Sequence, residues 1–176
     1  PELLARRLGT SLLNKLKTRF GAPLWNPLPL PKRGILIVGE QGQGDMIQIT
    51  RLIEVLQQQQ PLIFFCQPRL VPLLKECSKI KHISSTIAGI SQATPWLPAM
   101  NLLPMLWKPE QKIPGRREYL TPSEERFKYW SYQLKRDRKL YSIALHWQGN
   151  PEQEKTLYAS GRSLPFETFL MLQGLP

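Results

Sequence analysis

The stretch Ile35-Leu36-Ile37-Val38-Gly39-Glu40-Gln41-Gly42-Gln43-Gly44-Asp45 decides the fold. Its first four residues are all β-branched or Leu, with no polar alternation. That pattern marks a strand covered on both faces, as in a parallel sheet. A glycine-rich turn follows. Ile47, Leu52, Val55 and Leu56 then recur at helical spacing until Pro61 stops the run. Working outward, LIFFC at 62–66 repeats the buried-strand pattern, Pro68 opens a second helix over 68–77, and HISSTI at 82–87 reads as a third, shorter strand. Strand, helix, strand, helix, strand is the signature of right-handed parallel crossovers. The expected fold class is therefore α/β, with a Rossmann-like parallel sheet.

On the N-terminal side, Leu4, Leu8, Leu12, Leu16 and Phe20 repeat every four residues. They predict an amphipathic helix with Arg6, Arg7, Lys15, Lys17 and Arg19 on its remaining surface, suited to packing on a neighbouring domain or lying on an anionic membrane, packing being the favoured reading. Pro23, Pro27, Pro29 and Pro31 follow and read as an extended connector. On the C-terminal side, Pro95, Pro98 and Pro104 among Leu, Met and Trp predict a buried irregular loop with a short helix. Ser123, Glu124 and Glu125 open a further helix whose inner stripe is expected to be Phe127, Trp130 and Leu134. SIALHW, Ser142 to Trp147, is expected as another buried strand closed by the turn QGNP, with a helix beginning in SLPFETFLMLQ. The organisation expected is 1–33 as helix and connector, 34–140 as a first Rossmann-like domain, and 141–176 as the incomplete start of a second.

The chain has 176 residues, enough for a real core. No apolar run approaches the roughly 20 residues that span a bilayer, and no signal peptide is visible. Cys66 and Cys77 are expected to be free thiols in a reducing compartment, which predicts a cytoplasmic protein. His82 and His146 do not join them at ligand spacing, so no metal is expected. The net charge is +11 and uneven. Residues 1–33 hold seven basic and one acidic residue, and residues 108–142 hold ten basic and five acidic. Such segments suit anionic partners, or are simply solvated basic faces.

Three constellations could carry chemistry. In Gly39 to Asp45, glycines let a backbone approach a ligand at a strand-to-helix turn, where open α/β folds bind. The spacing G-x-x-G-x-G-D matches neither the P-loop nor the dinucleotide fingerprint. Asp45 reads either as the helix N-cap or as a general base at a cleft mouth; the positive helix end favours a charged carboxylate and so weakens a base. Glu40 is a spare carboxylate or a loop hydrogen-bonding group. In His146 to Pro151, Gly149 and Asn150 could offer N–H groups to a phosphate, or form an ordinary turn. Arg162 could fork onto a diphosphate, or be a surface arginine.

Taken together, GEQGQGDMIQITRLIEVL, IALHWQGNP and GRSLPFETF resemble the glycosyltransferase region of bacterial tetratricopeptide-repeat proteins. That region usually reads G-E-Q-G-L-G-D-x-I-Q-F-x-R, then V-G-L-x-W-x-G-N-P, then R-S-L, and it is related to the ADP-heptose-dependent heptosyltransferases. PLWNPLPLPKRG is also similar to the family's lead-in segment. Gln43 stands where Leu is usual, and Met46 where Thr is usual. The resemblance implies a GT-B architecture of two Rossmann-like domains, and transfer of a sugar from a nucleotide-sugar donor to a hydroxyl acceptor without metal or other cofactor. It implies Asp45 as the base, with Glu40, Gln41, Gly42 and Gly44 shaping the acceptor loop. It implies Gly149, Asn150 and Arg162 near the donor phosphates, and tetratricopeptide repeats upstream. The later donor-binding segments are not in these 176 residues, so the chain is expected to be catalytically incomplete, a fragment or a decayed gene. The alternative is a non-catalytic binding or scaffold module whose basic surface meets an anionic partner. Nucleic-acid binding ranks last, since no recognised motif supports it.

Overall fold

The computed structural model describes residues 11–24, 31–32, 34–40, 42–108, 110–134, 143–149, 154–155, 161 and 163–172. They belong to two compact units, Pro1–Lys128 and Tyr129–Pro176. In the first unit, helix α1 (Ser11–Phe20) precedes strand β1 (Ile35–Val38), helix α2 (Gln43–Leu56), strand β2 (Leu62–Phe65), helix α3 (Leu70–Cys77) and the short strand β3 (Ile83–Ser84). Strand β4 (Trp96–Pro98), a 3-10 turn (Ala99–Asn101) and helix α4 (Leu102–Leu106) follow. Helix α5 (Glu124–Gln133) crosses the boundary, and a 3-10 helix (Phe166–Leu172) lies in the second unit.

The four strands form one all-parallel sheet in the order β3-β2-β1-β4. Ile35 pairs with Leu62 and Val38 with Phe65 on one side of β1; Leu36 pairs with Trp96 and Val38 with Pro98 on the other. The sheet is therefore a Rossmann-like α/β arrangement in which the chain runs outward from β1 to β3 and returns to the opposite side of β1.

Alternate residues of the strands serve two cores, as the two-residue period requires. Ile35, Ile37, Leu62, Phe64 and Leu97 face a core that includes Ile49, Leu52, Ile53 and Leu56 of α2, Leu70 and Leu74 of α3, and Leu102 of α4. Leu36, Val38 and Trp96 face the other core, together with Leu16 and Phe20 of α1. The described part of the amphipathic helix, Ser11–Phe20, thus packs on the sheet of its own unit, whereas Leu4, Arg6, Arg7 and Leu8 lie outside the described residues. It is fastened there by the Arg19 guanidinium, which donates to the Ile87 carbonyl at 3.1 Å, and by the Trp96 indole N–H, which donates to the Gly21 carbonyl at 2.9 Å.

Three expectations are corrected. Trp96–Pro98, read as irregular loop because of its prolines, is a strand. It lies at the end of the strand order, and an edge strand tolerates proline's missing donor. The expected inner stripe of α5 is not inner: Phe127, Trp130 and Leu134 are exposed, and α5 buries no residue. The helix is tied down by its polar residues instead, for Ser123 and Arg126 both donate to the Glu76 carboxylate. Finally, residues 143–147 form no strand and are exposed. A parallel strand exists only through a hydrogen-bonded neighbour, and none stands beside them among the described residues of the second unit. Ser142 and much of the connector 23–31, namely residues 25–30, lie outside the described residues.

No helix among the described residues is long and apolar enough to cross a membrane.

Candidate functional site at the carboxyl edge of the sheet

In an open parallel sheet, ligands bind beyond the carboxyl ends of strands where the strand order reverses. Here that reversal lies between β1 and β4. Two stretches of chain meet at it: the turn from Gly39 into α2, and the 3-10 turn Ala99–Asn101 after β4.

The first turn is built by glycine chemistry. At Gly39 the backbone passes so close to β2 that its N–H donates to the Phe65 carbonyl at 2.6 Å. A Cβ there would stand 3.0 Å from that same oxygen and 3.3 Å from the Met46 sulfur. Gly42 adopts φ +91°, a conformation that side chains resist. It is the N-cap of α2, and its carbonyl accepts the Met46 N–H at 3.1 Å.

Asp45 is consequently not the N-cap, one of the two roles its sequence position suggested. It is the third residue of α2, in the first turn, and it is exposed. The N-cap glycine has no side chain to cap with, and Asp45 stands at the third position of the first turn. Its Oδ2 lies over Gly42, where it would collide with any Cβ at that position. Gly44 is exposed, and a Cβ on it would meet only open space. The chain therefore presents one carboxylate to solvent, above a glycine turn, on the edge where this class of sheet binds ligands.

Glu40 occupies a different position. Its carboxylate accepts the Met100 backbone N–H at 2.9 Å, and its own carbonyl accepts the Gln67 side-chain amide at 2.6 Å. Its N–H points to the Met46 sulfur at 3.3 Å. The loop hydrogen-bonding reading of Glu40 matches this arrangement. Gln67 and Met100 were not singled out from sequence. Gln67 lies two residues past the end of β2, and a polar residue just beyond a buried strand was an available signal; Met100 contributes only its backbone, which no side-chain pattern announces.

In the second unit, the Gly149 N–H donates to the Ser163 hydroxyl at 2.9 Å, and that hydroxyl donates to the Glu154 carboxylate. The Leu164 N–H donates to the Trp147 carbonyl at 2.9 Å, and the Trp147 and Phe166 rings lie 5.0 Å apart. The turn after Trp147 is thus bound to the segment that follows Arg162. Gln41, Asn150 and Arg162 lie outside the described residues.

Neither cysteine is activated by its surroundings. Burial pushes the Cys66 thiol up to about 11, so its thiolate is scarce near neutrality. Cys77 is also raised, first by burial and then by the Glu76 charge. No group of three His, Cys, Asp or Glu side chains able to hold a metal occurs among the described residues.

The fold and this edge define an α/β protein with an all-parallel, Rossmann-like sheet. Compared with protein-family models, curated proteins and solved structures, the chain matches none.

Proposed function

We propose that the chain is a glycosyltransferase-like domain of GT-B type, using the β1/β4 edge to receive a hydroxyl-bearing acceptor for a sugar carried on a nucleotide. The observation that carries this reading is the exposed Asp45 carboxylate above the positive-φ Gly42, at the reversal of strand order. In the proposed reaction the acceptor oxygen attacks the anomeric carbon, Asp45 takes the acceptor's proton, and the bond to the nucleotide diphosphate breaks with inversion. A weak base suffices when the proton moves late, as the leaving group departs. Asn150 and Arg162 are proposed near the donor phosphates, whereas the Gly149 N–H is already given to the Ser163 hydroxyl. The reading is supported by the sequence resemblance and by this placement of Asp45.

Because the later donor-binding segments are not among these 176 residues, the test is a thermal-shift and nucleotide-release screen of this chain joined to a complete GT-B donor-binding half, against UDP-, GDP- and ADP-sugars, with water as default acceptor. A matching donor at about a hundred times its Kd stabilises by about 2.7 kcal/mol. Asp45→Asn is expected to keep that stabilisation and to stop diphosphate release. Absence of any stabilising nucleotide-sugar, or release by Asp45→Asn at the wild-type rate, rejects the assignment. Stabilisation without release by the wild-type chain favours the non-catalytic binding module instead.

A further inference from the structure

The last residues paired between β1 and β4 are Val38 and Pro98. Beyond them the two chains leave the ladder, one toward α2 and the other into the 3-10 turn. Glu40 and Met100 each lie two residues past that final pair. Twisted strands diverge where their ladder ends, and here the gap is bridged by a side chain: the Glu40 carboxylate reaches the Met100 N–H at 2.9 Å. The same residue is held on its other side by Gln67, through its carbonyl, and by the buried Met46 sulfur, through its N–H. Met46 adjoins Asp45 and makes the first hydrogen bond of α2, to Gly42. One residue therefore connects the segments that follow β1, β2 and β4 to the helix turn carrying the exposed carboxylate.

We propose that Glu40 is a positioning residue: its hydrogen bond to Met100 sets the spacing between the Gly42–Asp45 turn and the Ala99–Asn101 turn, and so the place of Asp45 relative to an acceptor. The role rests on the transferase reading for its chemical consequence, whereas the geometry it describes can be measured without any reaction. What matters is an acceptor oxygen at the right reach. Gln at this position keeps such an oxygen, Asp is one methylene too short, and Ala has none.

The chain contains four methionines, and Met46 and Met100 sit on the two turns in question. Selective nitrogen-15 labelling of methionine in the full chain therefore reports both turns directly by amide hydrogen exchange. Glu40→Ala is expected to speed exchange at Met46 and Met100 by about tenfold or more, with Met171 of the second unit unchanged. Glu40→Asp is expected to behave like Glu40→Ala, and it covers the case in which the alanine variant fails to fold. Glu40→Gln is expected to stay within about threefold of wild type. Acceleration at Met100 alone, no acceleration at either site, or equal acceleration in Glu40→Gln and Glu40→Ala overturns the proposal. With a donor in hand, diphosphate release should fall about tenfold in Glu40→Ala and be rescued in Glu40→Gln. If the exchange pattern holds and no nucleotide-sugar is turned over, the transferase reading fails while the bridge between the two turns stands.

Discussion

The carboxylate of Glu54, buried on the flank of α2, is gripped by the guanidinium of Arg116: Nη2 lies 2.9 Å from Oε2 and 3.2 Å from Oε1, and Nε lies 3.3 Å from Oε2. The Lys79 N–H donates to the same carboxylate at 2.7 Å. Beside this pair, Arg51 donates to the carbonyls of Ile113 and Gly115. The loop between α4 and α5 is thereby strapped along α2. Removing one partner of a buried pair strands the other, but Arg116 is 39% exposed and Lys79 remains as a donor. Arg116→Ala is therefore expected to cost about 1–2 kcal/mol, below the range for fully buried pairs. Glu54→Ala in the same background should add less than it does alone. A urea-denaturation double-mutant cycle checks this, and strict additivity would show that the pair contributes nothing.

Gly42 and Gly44 are two residues apart, yet they should respond oppositely to alanine. At Gly42 the φ of +91° and the Asp45 oxygen both oppose a Cβ. Gly42→Ala is expected to lose about 1–2 kcal/mol and to displace Asp45. Gly44 lies within α2 with open space around it, so Gly44→Ala is expected to gain about 0.5–1 kcal/mol from reduced unfolded-state freedom. Thermal melting of both variants is the measurement, and destabilisation by Gly44→Ala would contradict the open environment.

The packing of α1 on the sheet sets a second contrast. Leu16 is fully buried against Leu36, Val38 and Trp96, whereas Leu12, one helical turn earlier, is exposed. Leu16→Ala should cost about 2–4 kcal/mol, and Leu12→Ala less than about 1 kcal/mol. Equal, small losses at both positions would mean that α1 is not part of this core.

Cys66 predicts a loss of stability in alkali. Its thiol is raised in the folded protein to about 11 by burial, while an unfolded cysteine ionises near pH 8.5. Between those values the unfolded state holds fewer protons than the folded state, so unfolding becomes easier as pH rises. The contribution is present in full below about pH 8.5 and is lost progressively on approaching pH 11. Cys66→Ala should flatten this part of the stability profile relative to the wild-type chain. Identical slopes for the two chains between pH 8 and 10.5 would refute the prediction.

Much of the first unit was legible because its signals are local. Four consecutive apolar residues at Ile35–Val38, the glycine turn and the helical spacing through Leu56 need no knowledge of distant chain. The second strand and helix, and the short strand at Ile83–Ser84, were readable for the same reason. The position of Asp45 past a glycine turn was readable too, although its exact place in the helix was not. Whether Gly42 or Asp45 caps α2 depends on backbone angles, and Gly42 takes the cap because it can adopt φ +91°.

Tertiary structure decided what depended on neighbours. Trp96–Pro98 is a strand because β1 offers it an edge, a fact absent from its own proline-rich letters. Phe127, Trp130 and Leu134 have the spacing of an inner stripe, but spacing marks a face without saying what meets it. The same limit applies to α1, whose amphipathic pattern suited several surfaces until Leu16 and Phe20 were found on the sheet. The bridge from Glu40 to Met100 joins residues 60 positions apart through a backbone N–H. Periodicity along a chain records which side of an element is apolar; only folding brings the partner that gives that side, or a lone carboxylate, something to hold.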